Sequence, residues 1–523
     1  MALQSIVSTV VESPGYVAFS VVCAWLVYQL GQAAWNLSPY HPLSRFPGPK
    51  LARASYLLEF YYDLILVGQY TKRIVEMHEV YGPLVRINPN EIHCSDPSFI
   101  NEIYAVGGRK RDKPIHQVQA SGTVTNAFFS TTDHDTHRLR RSALSRFFSR
   151  AQITTLEPKI HRLVQQLCDK LMLEQGNEKP FDITTAYSCF GSDVISDYCF
   201  GQSFGFLTQP SWEPNYRGPL YSLLRPMFVF RFFPFLEPFA IAASGLAKHL
   251  STDMNLLITT LTKTVPDQIR RTKADLANGI TAKEETVFGS VLTSSLPASE
   301  KSIQRLTDEA ASLLGAGTET VSWSLSVITY HLLTQPALMT RLRDELQTIV
   351  SLSEDTKTLP PWTTLEKLPY LTAVVHEGLR LSYGVSIRTA RIAPEEDLVY
   401  RGQDVNYVIP RGYAVGMSPA ITHHNEDIFP DSHAFRPERW LDAEGRRNTE
   451  LERYLLSFSK GSRACIGMNL AFCELHLVLT ALVIRVFPHM QLFETTERDI
   501  KYHHDLFAPV PEPGSLGVRA LIV

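Results

Sequence analysis

The chain has 523 residues, with 50 lysines and arginines against 53 aspartates and glutamates for a formal net charge of −3. Its 44% hydrophobic and 20% charged content is that of a globular protein and argues against disorder or a fibre. The near balance of charge leaves no basic footprint for nucleic acid. Seven cysteines without a Cys-x-x-Cys pair exclude a disulfide scaffold and the common zinc modules, which places the bulk of the chain in a reducing compartment.

In chain order, a short N-terminus of residues 1–15, expected on the lumenal side, precedes residues 16–36, which carry no charged side chain. A run of about 20 such residues is what a helix needs to cross a bilayer. Tyr16 and Trp35 stand near its ends, where amphipathic rings favour the interface. The first basic residue is Arg45, followed by Lys50 and Arg53, and that asymmetry puts everything beyond the helix on the cytoplasmic side. A cleaved signal peptide is the competing reading, opposed by the missing basic n-region and the lack of a small-residue cleavage site. Residues 37–52, with Pro39, Pro42, Pro47 and Pro49, read as a stiff, extended tether. Asn36-Leu37-Ser38 matches a glycosylation acceptor on the wrong face for this topology and is read as unused.

Residues 53–523 show no linker, charge block or repeat, and predict one domain that is mainly α with small β-sheets. Periodicity of 3.6 predicts helices over 66–81, 133–149, 152–174, 302–334, 336–351, 365–382 and 467–486. Short strands are expected at Leu84–Ile87, Ile92–Cys94 and Ala414–Met417. The segment Ile303–Leu333, about 30 residues at 1.5 Å each, spans ~45 Å and should run through the core.

The most informative stretch is Phe458-Ser-Lys-Gly461-Ser-Arg463-Ala-Cys465-Ile-Gly467, one cysteine between glycines opening a long apolar helix. A thiolate at a helix N-terminus is stabilised by the dipole and free N–H groups. Gly461 and Gly467 are expected to let the backbone approach a flat partner, and Arg463 to bind a carboxylate. With this frame the chain resembles the cytochrome P450 family of haem-thiolate monooxygenases over essentially its entire length. The resemblance implies haem b, with Cys465 as the axial ligand to iron, Phe458 packed near the sulfur and Arg463 on a propionate. Thiolate ligation pushes electron density onto iron and favours O–O cleavage.

Other segments carry the same likeness. Glu377-Gly-Leu-Arg380 sits on one helix face by its i,i+3 spacing, and its apolar neighbours imply burial. Phe435-Arg-Pro-Glu-Arg439-Trp resembles the family's meander and makes Arg439 the third member of a Glu377–Arg380–Arg439 network that fixes geometry. The long helix carries Gly315-Ala316-Gly317-Thr318-Glu319-Thr320; a buried acid beside an alcohol is costly without a purpose. The likeness assigns Glu319 and Thr320 to proton delivery and sets Ala316 and Gly317 against the haem, with Gly317 giving room for oxygen and Thr320 bonding back to the i−4 carbonyl. In His137-Arg-Leu-Arg-Arg141, histidine stands where the family commonly has tryptophan. Arg141 is then the implied propionate ligand, with His137 beside it, while Arg138 and Arg140 face a docking surface. Arg391 matches a further propionate arginine. The stretch 382–388 lacks the proline often found there, which leaves its path open.

No dinucleotide fingerprint or P-loop occurs, so the resemblance implies NADPH and flavins only through a separate NADPH–cytochrome P450 reductase, with cytochrome b5 as a second donor. The cysteine side, with Lys460, Arg138 and Arg140, is the expected dock for an acidic partner. Residues 225–240 are dense in phenylalanine, as either a lid dipping into the bilayer or plain core packing. Pocket walls are expected from 115–128, Leu313–Ala316, Val385–Ile387 and Leu506-Phe507. Within the family the chain looks like membrane-bound, trichodiene-oxygenase-like fungal enzymes of specialised metabolism. That implies O2-dependent hydroxylation or epoxidation of a terpenoid or polyketide scaffold at the endoplasmic reticulum membrane. Rivals are a haem-thiolate isomerase or dehydratase, and a non-catalytic haem-binding membrane sensor. The paired histidines His423-His424 and His503-His504 lack supporting ligands and read as structural.

Overall fold

A computed structural model describes residues 14–119, 124–224, 226–247, 249–280, 285–350, 358–402 and 405–523. Most of the expected N-terminus before residue 16 and part of the predicted pocket wall at 120–123 therefore lie outside the described residues.

Helix α1 (Pro14–Leu37) is apolar on all sides and stands free of the core, long enough to cross a membrane. The segment after it is not an extended tether. Residues 38–46 fold into turns in which Leu43 and Phe46 are buried, and Phe46 stacks on Tyr407 at 4.9 Å. The prolines there fix turns instead of a spacer because apolar partners are within reach. Asn36 is itself buried, its amide donating to the Ala54 carbonyl at 2.9 Å, which suits a side chain that carries no glycan.

Helix α2 (Leu57–Phe60) continues as a π turn to Ile65 and is followed by α3 (Tyr70–Tyr81). Strands β1 (Leu84–Asn88) and β2 (Glu91–Cys94) form an antiparallel hairpin. Then come α4 (Ile115–Val118), α5 (His134–Ser145), α6 (Arg150–Met172), α7 (Ile183–Phe200), α8 (Arg217–Leu224), α9 (Met227–Phe232) and α10 (Glu237–Ala247). Side-chain caps fix the starts of several of these: Asp133 accepts from Thr136 N–H at 2.7 Å to open α5, and Asp182 accepts from Thr184 N–H at 3.0 Å to open α7.

Helix α11 (Ile303–Thr334) is capped by Ser302 and stopped by Pro336, the first residue of α12 (Pro336–Gln347). It runs through the core as expected, and α7 lies along it. A Cβ at Gly191 would sit 2.6 Å from the Gly317 carbonyl, so the two backbones meet with nothing between them. Buried hydroxyl pairs, Ser192–Thr318 at 2.9 Å and Thr184–Ser326 at 2.9 Å, hold the register. Helix α13 (Pro369–Ser382) is buried along its length and ends at two left-handed residues, Tyr383 (φ 62°) and Gly384 (φ 68°). A side chain at Gly384 would strike the Ser457 carbonyl, so the missing proline is replaced by this tight exit.

Strand β3 (Arg391–Ile392) and β4 (Ala414–Gly416) complete a four-stranded sheet in the order β1-β2-β4-β3, with β2 and β4 parallel. Helix α14 (Met468–Arg485), also apolar enough to span a membrane, is instead mostly buried against α6. Short sheets near the C-terminus close the domain.

Candidate active site

Residues 458–467 form a loop tied off by the Cys465 N–H donating to the Phe458 carbonyl at 2.8 Å. The Phe458 ring packs on Phe472 at 5.1 Å. Gly461, at φ 75°, presses on the 104–105 backbone, where a Cβ would lie 2.4 Å from the Tyr104 carbonyl. Its missing side chain therefore serves loop packing and not a flat partner. At Gly467 a Cβ would meet only the Cys465 sulfur, at 4.0 Å, so this glycine does leave an open approach. Burial pushes the Cys465 thiol up, opposed by the Gly467 N–H and by Arg141. Cys465 keeps accessible surface although protein encloses it, as a side chain lining an interior space does.

Three arginines and a lysine gather around that space. Arg463 is buried and donates to the carbonyls of Arg111 (2.9 Å), Thr131 (2.6 Å) and Thr132 (2.6 Å). Arg141 donates to the Ala464 carbonyl at 2.7 Å. Arg391 is buried on Ala390 and Ser459, its guanidinium over the Tyr104 ring. Lys113, which the motifs do not mark, donates to the Phe129 carbonyl and lies 3.6 Å from the centre of that ring. Burial, and then Arg391 and Arg463, drive the Lys113 pKa well down. Burial, followed by Arg463, Lys113, Arg141 and Arg391, takes His137 down to about 2, so its imidazole is neutral. Among the described residues none of these four side chains has a carboxylate within ion-pair distance. So much uncompensated positive charge in an enclosed region is costly. A group carrying two carboxylates, together with a metal that accepts a thiolate, fits this donor set.

On α11 the face formed by Ala316 and Thr320 is open although most of the helix after it is buried: Ala316 is exposed, Thr320 half-buried. Thr320 Oγ1 donates to the Ala316 carbonyl at 2.9 Å, the back-bond expected of it. Gly317 points elsewhere. Its Cβ would collide with Ile195 of α7 at 2.8 Å, so this glycine permits helix contact and does not supply room for oxygen. Glu319 is also turned from that face. Its Oε1 accepts from Ser188 Oγ at 3.3 Å on α7, and its Oε2 is buried without a partner among the described residues. Burial, opposed chiefly by Arg217, raises its pKa to about 7.

The Glu377–Arg380–Arg439 side chains do come together. Arg380 holds Glu377 through two bonds at 2.9 and 2.8 Å, and Arg439 Nε reaches it at 3.1 Å. Trp440 Nε1 (2.9 Å) and the Arg436 N–H (2.8 Å) fill the remaining lone pairs, partners the sequence reading missed. Burial would raise the Glu377 pKa, but the Arg380 bonds and charge, and then Arg439, hold it below the ordinary carboxylate value.

The expected docking cations fare unequally. Arg140 is not free: it pairs with Glu300 at 2.8 and 3.0 Å, because α5 turns it toward the start of α11. Lys460 is half-buried and donates to the Glu452 carbonyl at 2.9 Å. Arg138 alone of the three stays exposed. It borders a cavity of about 330 Å³ on α5 that also touches Gly107, Gly108, His137, Arg141 and Ser462.

Comparison with known proteins agrees with this geometry. Residues 54–516 match the profile of the family described as Cytochrome P450. "Cytochrome P450 monooxygenase ppzE" of Metarhizium majus is 44% identical, covering 85% of this chain and 95% of its own length. "Conidiogenone synthase PchP450" of Penicillium rubens is 40% identical over 96% and 97%. "N-acetyltryptophan 6-hydroxylase ivoC" of Emericella nidulans is 37% identical over 94% of each. A near-full-length match to the family profile, with relatives far above 30% identity, leaves one conclusion: the chain belongs to the cytochrome P450 family and is a haem-dependent monooxygenase.

Proposed function

We propose that this enzyme hydroxylates or epoxidises a hydrophobic small molecule, a terpenoid or polyketide intermediate of fungal secondary metabolism. The proposal places it in the endoplasmic reticulum membrane by α1, its domain facing the cytosol, with electrons from NADPH–cytochrome P450 reductase and, as a second donor, cytochrome b5. The observation that carries the haem assignment is the set of three arginines and one lysine, none with a carboxylate partner among the described residues, beside one enclosed cysteine that keeps accessible surface.

When bound, haem supplies the activation of O2. Cys465 would hold its iron, and Arg141, Arg391, Arg463 and Lys113 its two propionates, with the neutral His137 as an added donor. Phe458 shields the sulfur. Thr320, its proton donated to the Ala316 carbonyl, presents a hydroxyl oxygen on the open face of α11, and Glu319, reached from α7, supplies protons from behind it. The expected wall segments at 385–387 and 506–507 are apolar: Ile387 and Leu506 sit in a buried cluster with Met227 and Phe228, joined by Val385 and Phe507. An apolar substrate suits such walls. The exposed Phe235 and Phe239 around α10, with Leu57 and Ile65 also exposed near α2, favour the lid reading of the phenylalanine-rich stretch over core packing. That two relatives are named for a conidiogenone and for an N-acetyltryptophan agrees with one cavity type serving varied organic scaffolds.

The reduced, carbon-monoxide-bound protein should show the red-shifted Soret band of a thiolate-ligated haem, and Cys465→Ala should abolish it. A variant that kept the band would overturn the assignment of Cys465.

A further inference from the structure

Helix α9 carries a single charge in the apolar run 226–236, Arg231, and that charge is buried to 2% exposure. Its Nη1 donates to Asp63 Oδ2 at 2.9 Å and lies 3.4 Å from Glu59 Oε1, both on the α2 segment. These carboxylates are shared with Arg388, which pairs with Glu59 and, through Nε at 3.1 Å, with Glu91. His116 of α4 reaches Glu59 at 2.9 Å, and Asn88 donates to both Glu59 and Glu91 at 3.0 Å.

Around this polar centre the contacts are aromatic. Phe232 meets Phe60 edge-on at 5.3 Å and His116 at 5.6 Å. On its inner side α9 places Met227 and Phe228 against Ile387 and Leu506, and on its outer side the chain continues into the exposed Phe235 and Phe239. Helix α9 thus lies between a buried apolar cluster and an apolar surface.

Apolar burial alone is non-directional and would let α9 slide or dissolve into lipid. A buried ion pair fixes one seat, because lifting α9 strips Glu59 and Asp63 of a charge partner inside the protein. We propose that Arg231 is the bolt of a lid: a bulky apolar molecule reaches or leaves the cavity only when Arg231 withdraws from Asp63 and Glu59. This rests on the haem assignment above, and the test separates the two.

Binding of clotrimazole, a bulky apolar azole, and of imidazole is followed by stopped-flow spectroscopy in the full-length membrane enzyme. Arg231→Met should speed clotrimazole association and dissociation about tenfold or more, a change carried by the barrier and not the affinity, with imidazole and carbon monoxide rates unchanged. The isosteric Asp63→Asn should do the same, and the double variant should add little to either single one. In the wild type the clotrimazole rate should level off at high concentration, at the common opening rate of amides 227–233 read by hydrogen exchange. Unchanged clotrimazole rates in the variants, or a wild-type plateau faster than that opening, would overturn the lid bolt. Absence of the thiolate Soret band in the wild type would instead sink the haem assignment.

Discussion

Adjacent residues on a helix point about 100° apart, and on α11 that rotation sets Glu319 and Thr320 in different surroundings, which is the basis of the division of labour proposed for them. Thr320 belongs to the open face with Ala316, whereas Glu319 is buried against Ser188 and Arg217. A carboxyl with a pKa near 7 exchanges protons readily at neutral pH, the condition a relay needs. The sign for stability is the opposite of that for a salt-bridged acid. The folded pKa is raised, so the protonated form is favoured in the native state, and stability falls as pH rises from the ordinary carboxyl value of about 4.3 toward 7. Glu319→Gln should remove that slope in thermal melts and lower turnover by about 100-fold, with the fall of activity above neutral pH flattened. Thr320→Ala should keep the haem spectrum yet divert reducing equivalents to peroxide. Product formation that stays fully coupled to NADPH use in the threonine variant would contradict this division.

At the scale of elements, the informative case is the joint between α1 and the domain. Arg86 of β1 is fully buried and has no carboxylate partner among the described residues. It donates to the carbonyls of Asn36 (3.0 Å), at the end of α1, and of Pro89 (2.9 Å). A cation at a helix C-terminus is stabilising, and here it also fastens the helix to the sheet. Arg86→Met should expose Arg45, Lys50 and Arg53 to trypsin in intact membranes, with cleavage about tenfold faster for a local opening made easier by ~1.4 kcal/mol. Equal resistance in the variant would mean that the turns hold without it. None of this was legible beforehand, since one arginine between apolar strand residues has no pattern. Helices with one polar face, such as α5 and α6, were readable from their period. Helix α7 was not, because it is buried on nearly every side and so lacks an amphipathic stripe. The cysteine loop and the Glu377 network were legible as motifs. Lys113 was not, since only the fold carries it to Arg391 and Arg463.

At the scale of the whole molecule, a member of this family must present a face to its redox partner, and the ion pairs decide which cations remain for that purpose. Arg109 is held by Glu102 and Glu396, and Lys110 by Asp135 and Glu395. Arg140 is held by Glu300. Arg138 is left exposed, with no ion-pair partner among the described residues, on the rim of the cavity that touches His137 and Arg141. Leu139 and Met468, both partly exposed, add apolar contact nearby. A solvent-exposed cation contributes little to stability, so its charge is free to act on association, where complementarity raises the on-rate. Arg138→Glu should therefore slow the first electron transfer from the reductase about tenfold at low ionic strength. The defect should shrink as salt is raised and the Debye length falls to about 8 Å at physiological strength. The Soret band and melting temperature should stay unchanged, because neither the cysteine loop nor any buried pair is touched. Reduction at the wild-type rate in low salt would move the dock away from α5.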